Sequence, residues 1–155
     1  MVLPEYDDRH LLFGLLFMSG NRLQVLGDRF YEEITAKQWF LLAVAELFQE
    51  QAPTLRELSE AAGCSHQNAK QLALKLREKG YLAFEEDPSD RRKTRIALTD
   101  SCRAMIERYH ARQEAFLAEL FCGIAPEELH QAVAVLLRLQ ENMERMQNEQ
   151  KGALQ

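Results

Sequence analysis

With 155 residues, 46% of them hydrophobic, the chain has the length of one domain and enough apolar material for one core. Its longest apolar segment, Leu11 to Met18, stops at Ser19-Gly20-Asn21-Arg22, short of the roughly 18 apolar residues a membrane span needs. Glu5, Asp7 and Asp8 ahead of that segment do not fit a secretory leader, so a cytoplasmic protein with no membrane partner is expected.

Cys64, Cys102 and Cys122 form no C-x-x-C pair and the four histidines are scattered, so no disulfide framework, metal site or cofactor is expected. No Gly-rich phosphate loop, nucleophile elbow or paired-carboxylate arrangement stands out, which points away from an enzyme. The net charge of −5 hides an asymmetry. Between Cys64 and Arg95, Lys70, Lys75, Arg77, Lys79, Arg91, Arg92, Lys93 and Arg95 face five acidic residues for a net +3, leaving −8 elsewhere. A basic patch on an acidic body is compatible with phosphate binding.

In chain order, Asp7 to about Arg29 reads as a long helix, although Gly14, Gly20 and Gly27 weaken it. It carries more apolar residues than one buried face requires, which suggests a partner chain. Thr35-Ala36-Lys37-Gln38 is a capping box opening a helix to about Glu50, with Trp39, Leu42, Ala43, Glu46 and Leu47 marking one side. After Pro53, Thr54-Leu55-Arg56-Glu57 is a second capping box, for a short helix ending at Gly63. Ser65 caps a third helix with Ala69, Leu72, Ala73 and Leu76 on its apolar side, and Gly80 stops it. Two short helices joined by Ala62-Gly63-Cys64 predict a helix-turn-helix.

Tyr81 to Glu85 and Thr94 to Leu98 have strand composition, and the charged segment Glu86 to Lys93 between them predicts a hairpin loop. Thr99 then caps a helix to about Phe121, and Pro126 begins a last one to about Gln147, with only the final residues expected to fray. The fold class predicted is mainly α with a small β-hairpin: a winged helix-turn-helix flanked by N- and C-terminal helices.

These residues resemble, in order, the motifs of the MarR (multiple-antibiotic-resistance regulator) family. Ile34-Thr35-x-x-Gln38 is similar to the family's L-T-x-x-Q helix start, and Thr54-Leu55-Arg56-Glu57-Leu58 through Gly63-Cys64-Ser65 to its T-x-x-E-L…G-x-S pattern. Leu76 to Leu82 resembles its L-x-x-x-G-hydrophobic exit, and Asp87 to Arg92 followed by Ile96-Ala97-Leu98-Thr99 its D-x-R-D-x-R wing with a strand and L-T. The chain departs at Ser89, which stands at a wing arginine, at Cys102, which stands at a usual glycine, and at Gln71, where an arginine is frequent.

The resemblance implies a sequence-specific regulator of transcription that binds double-stranded DNA at a pseudo-palindromic operator, as a repressor released by a small-molecule effector. Residues 1–155 are then a single domain, with 35–99 as the DNA-binding part and 1–33 and 100–148 as dimerisation helices of a homodimer. Leu11, Leu15, Phe116, Leu120, Val133, Leu136, Leu137 and Met143 are the apolar interface candidates.

A major groove admits a helix such as the one opened by Ser65, whose candidate DNA contacts are Ser65 itself, chiefly a cap, and His66, Gln67, Asn68, Lys70 and Gln71. The amides of Gln67, Asn68 and Gln71 suit adenine, whereas Lys70 suits phosphate. On the wing, Asp90, Arg91, Arg92 and Lys93 are the candidates, with Arg92 implied as the tip residue oriented by Asp90. Phe13, Phe17, Phe30, Trp39 and Phe40 are candidates to line a cleft for a small aromatic effector, or else are core. A thiol switch at Cys64 and a winged-helix protein-interaction module are the alternatives.

Overall fold

A computed structural model describes residues 7–49 and 51–152. Two compact units divide the chain, Met1–Arg108 and Tyr109–Gln155. In the first, helix α1 (Asp8–Phe30) begins where the Asp7 carboxylate accepts from the His10 amide at 3.1 Å. Helix α2 (Ala36–Glu46) begins at the capping box the sequence predicts: Thr35 Oγ1 accepts from the Gln38 amide at 3.2 Å and Gln38 Oε1 from the Thr35 amide at 3.0 Å. The end of α1 lies close against this start, since the Asp28 carboxylate accepts from the Ala36 amide at 2.7 Å. A Cβ on Gly27 would stand 2.7 Å from that of Ala36, so only glycine fits this approach.

Helix α2 stops at Glu46, short of the expected Glu50, because the Leu47 and Phe48 amides turn back to the Val44 and Ala45 carbonyls. Its fully buried side shares only Leu42 with the side that the sequence marks. Gln38, Leu41, Leu42, Val44 and Ala45 face inward, Trp39 and Ala43 are half-buried, and Leu47 is 76% exposed. The apolar residues of α2 run nearly all round the helix, so sequence spacing alone could not choose the face.

Helix α3 (Leu55–Ala61) starts at the second capping box, with Thr54 Oγ1 accepting from the Glu57 amide at 3.3 Å and Glu57 Oε2 from the Thr54 amide at 2.7 Å. Helix α4 (His66–Glu78) follows a turn at Gly63, whose φ of +62° lies in the left-handed region that glycine tolerates. Strands β1 (Leu82–Glu86) and β2 (Thr94–Leu98) pair antiparallel, with Leu82 opposite Leu98 and Phe84 opposite Ile96. Strand β1 is one residue later than expected: the Tyr81 carbonyl instead receives the Thr99 amide at 3.2 Å, closing the hairpin base. Helix α5 (Asp100–Leu120) is capped by Thr99, whose hydroxyl accepts from the Cys102 amide at 3.1 Å.

The core is assembled from Leu41, Leu42, Leu58, Ala69, Ala73, Leu76, Leu82, Ile96, Cys102 and Met105, all buried. Of the four apolar α4 residues expected inside, Leu72 is only half-buried. In the second unit, helix α6 (Pro126–Gly152) starts where the Glu128 carboxylate accepts from the Ala125 amide at 2.8 Å, and it runs past the expected end near Gln147. The final residues, where fraying is expected, lie outside the described part. Among the described residues no helix is long and apolar enough to cross a membrane, and no group of three or more His, Cys, Asp or Glu is placed to hold a metal.

Candidate nucleic-acid interface

The amphipathic character of α4 decides which side chains can be presented. Ala69, Ala73 and Leu76 seat the helix on the core, and Ser65 closes its N-terminus by accepting from the Asn68 amide at 3.2 Å. His66, Gln67, Asn68, Lys70 and Gln71 are all exposed, as is Ser65. The helix therefore offers an imidazole, three amides and an ammonium within its first two turns. Paired amide donors and acceptors match base edges, and the ammonium matches phosphate.

The loop between β1 and β2 is organised by a buried carboxylate. Asp87 Oδ1 accepts from the Ser89 amide at 2.7 Å, the Ser89 hydroxyl at 2.6 Å and the Asp90 amide at 3.2 Å. Its Oδ2 accepts from Arg95 Nε at 2.5 Å. The Ser89 bonds above all, then the Arg95 guanidinium, hold the Asp87 carboxyl well below the usual carboxylate range. Asp90 Oδ1 in turn accepts from the Arg92 amide at 3.2 Å and from Arg92 Nε at 3.3 Å. Arg92, with 91% of its side chain exposed, thus projects from an ordered loop, and Arg91 and Lys93 beside it are also exposed.

Not every cation counted in the basic segment faces solvent. Arg95, with its side chain 13% exposed, bonds Asp87, the Ala52 carbonyl and Glu57, and is withdrawn from any surface patch. Arg77 lies 4.7 Å from the centre of the Phe84 ring, a cation–π contact between α4 and β1, and Lys79 Nζ donates to the Glu33 carbonyl. The part played by Arg95 escaped the sequence reading. Strand alternation places it on the side opposite Ile96, but the free edge of β2 is paired by the Pro53-Thr54 segment, which brings the Ala52 carbonyl and Glu57 within reach of the Arg95 side chain: Thr54 bridges Arg95, and the Pro53 carbonyl accepts from the Ile96 amide at 2.8 Å. A proline-containing segment gives little strand signal.

The five aromatics proposed for an effector cleft do not gather at one place in the chain. Phe30 and Trp39 flank the buried Tyr31, with ring centres 4.7 and 6.1 Å from it. Phe13 and Phe17 pair edge to face at 5.1 Å and are 67% and 65% exposed. The thirteen residues from Phe17 to Phe30 span about 20 Å of helix. Phe40 is exposed on α2. One hollow of about 330 Å³ includes none of the five, being lined by Leu47, Phe48, Gln49, Gln51, Glu57 and Arg95.

Of the thiols, Cys64 is half-buried at the turn before α4, Cys122 is exposed, and Cys102 is buried. Burial, reinforced by the nearby Glu46 carboxylate, pushes the Cys102 thiol up to about 11. The carboxyl of Glu57 is held low by the Thr54 amide and hydroxyl, then by Arg95 and Lys93.

No protein-family model matches the sequence. Solved structures do match the architecture. A MarR/EmrR family transcriptional regulator from an Acinetobacter species has a TM-score of 0.77 at 20% identity, over 90% of this chain and 99% of its own. The fold is that of the MarR regulators. BpsR of Bordetella bronchiseptica, whose DNA binding is regulated by 6-hydroxynicotinic acid, matches at TM-score 0.71 and 23% identity over 88% of this chain and 97% of its own. CouR of Rhodococcus jostii, solved with p-coumaroyl-CoA, matches at 0.73 and 24% over 86% and 92%. Within the shared fold the segment from α3 to β2 is the winged helix-turn-helix.

Proposed function

We propose that the chain is a cytoplasmic, homodimeric regulator of transcription that binds double-stranded DNA sequence-specifically and represses until a small aromatic effector releases it. The observation that carries this reading is the pairing of an exposed amide-rich start of α4 with a wing whose Arg92 is exposed yet held by Asp90. Helix α4 enters the major groove and reads bases with Gln67, Asn68 and Gln71, with His66 beside them, while Lys70 meets phosphate. Arg91, Arg92 and Lys93 meet the backbone and minor groove, where narrow A·T-rich segments attract guanidinium groups.

Residues 35–99 form the DNA-binding part. One recognition helix reads only a few base pairs, so two copies are needed for a pseudo-palindrome with half-sites about one helical turn apart. The exposed apolar residues of α1 and α6, among them Leu15, Val133, Leu136, Leu137 and Met143, favour a second copy as their cover. An aromatic effector is favoured by the small molecules named with BpsR and CouR. Selection of bound duplexes from a random pool tests the reading. A dyad-symmetric consensus should emerge, and Gln67→Ala or Asn68→Ala should cost about 1–3 kcal/mol only on duplexes carrying the matching base pair. Arg92→Ala should weaken binding to most duplexes, whichever base pair faces Gln67 or Asn68. A pool with no enriched sequence, or equal losses from both classes of variant on every duplex, would count against it.

A further inference from the structure

The geometry points to Arg95 as a positioning residue that fixes the wing tip to the start of α3, so that the bearing of Arg92 is set by the helix-turn-helix itself. This rests on the DNA-binding reading above and assigns a function to a side chain that does not reach the interface. The bonds form an unbroken run. Glu57 Oε2 accepts from the Thr54 amide at 2.7 Å and from the Thr54 hydroxyl at 2.9 Å, and also receives Arg95 Nη1 at 3.1 Å. The same Nη1 donates to the Ala52 carbonyl at 3.1 Å, and Arg95 Nε reaches Asp87 Oδ2. The other oxygen of Asp87 holds the Ser89 and Asp90 amides, and Asp90 holds Arg92.

A two-stranded hairpin alone is marginally stable and free to swing about its base. Only a planar, permanently charged guanidinium can bond a carbonyl and two carboxylates in fixed directions; an ammonium cannot reproduce this fork. Ser89 strengthens the device, because its hydroxyl donates to the same buried Asp87 oxygen that receives the Ser89 and Asp90 amides.

The test is a double-mutant cycle on duplex affinity combined with backbone hydrogen exchange. Arg92→Ala should weaken wild-type binding about tenfold, the loss of one charge-assisted contact, but less than about twofold in an Arg95→Gln background, because the tip is already misplaced. Additive losses would overturn the proposal, since a purely structural Arg95 would leave the Arg92 effect intact. Arg95→Lys should recover only part of the coupling.

Where Arg95→Gln folds poorly, Glu57→Gln keeps a carbonyl oxygen for the capping box and takes away the charge that strengthens the bond to Arg95, and should reduce the Arg92 effect to about threefold. The exchange arm needs no DNA. The Ser89 and Asp90 amides should exchange about tenfold faster in Arg95→Gln while those within α2 stay unchanged, and unaltered exchange at both would overturn the proposal whatever the binding result. A wild type without duplex affinity would overturn the DNA reading and the functional half of this one together, leaving the exchange arm to decide whether Arg95 holds the wing.

Discussion

Among the described residues, every buried apolar side chain lies between Tyr31 and Met105, whereas α1, with 23 residues, and α6, with 27, bury none. Yet α1 carries Leu12, Phe13, Leu15, Leu16, Phe17 and Leu23 in exposed positions. The two regions are stabilised from different sources. The winged-helix segment closes a core of its own, while the terminal helices keep apolar faces exposed, and covering them would contribute roughly 1.5–3 kcal/mol for each large side chain.

The largest effect that can break this comparison is expected on α1. Leu15→Asp on a helix facing water would change stability by no more than about 0.5 kcal/mol. Under a second copy it buries an unpaired carboxylate, so sedimentation should show a species of about twice 17.9 kDa in the wild type and only the single-chain mass in the variant. A wild type that stays at the single-chain mass throughout the micromolar range would sink the distinction.

Next comes Leu58→Ala in the closed core, expected to cost about 2–5 kcal/mol in urea unfolding through the cavity it leaves. A loss below about 1 kcal/mol would mean that the segment is not tightly packed. Gly27→Ala should be milder, about 1–3 kcal/mol, as the added Cβ pushes α1 off Ala36; an unchanged melting temperature would show the approach to be slack.

Acid dependence sharpens the wing side of the comparison. Because the folded Asp87 carboxyl sits below its ordinary value, its stabilisation is complete above the unfolded-state value of about 4 and is lost as pH falls below that toward the folded value. The carboxyl of Glu57, also lowered, adds in the same direction. Melting temperature should therefore fall less steeply from about pH 5 to about pH 2 in Asp87→Asn than in the wild type. Equal slopes would mean that Asp87 is not held as described. The smallest effect concerns the thiols: mild peroxide should leave duplex affinity unchanged, and so should Cys64→Ser. A reversible loss in the wild type that is absent from Cys64→Ser would make the protein a thiol sensor.

Much of this was legible in the sequence where local chemistry dictates the outcome. Thr35 with Gln38, Thr54 with Glu57 and Ser65 mark helix starts because their side chains bond amides within three residues. The order of these signals also fixes the winged-helix architecture. The inward face of α2 was not legible, because its apolar residues surround it and tertiary packing chooses the side. Arg95 was counted with the surface cations for a related reason: its partners Asp87, Glu57 and Ala52 lie 8, 38 and 43 residues away. Nor could helical spacing say that Phe13 and Phe17 stand apart from Phe30 and Trp39, a matter of distance along α1 and of how the chain turns at Tyr31.

The central claim, that the α4 start and the wing form a DNA-binding surface on a chain of net charge −5, is most directly tested by titrating the wild type into a labelled random-sequence duplex and following fluorescence anisotropy at rising salt. Two wings and two recognition helices contacting phosphate predict association that weakens by about a hundredfold or more between about 50 and 200 mM salt, with a shallower dependence for Arg92→Ala. No association at the lowest salt, or an affinity indifferent to salt, would contradict it.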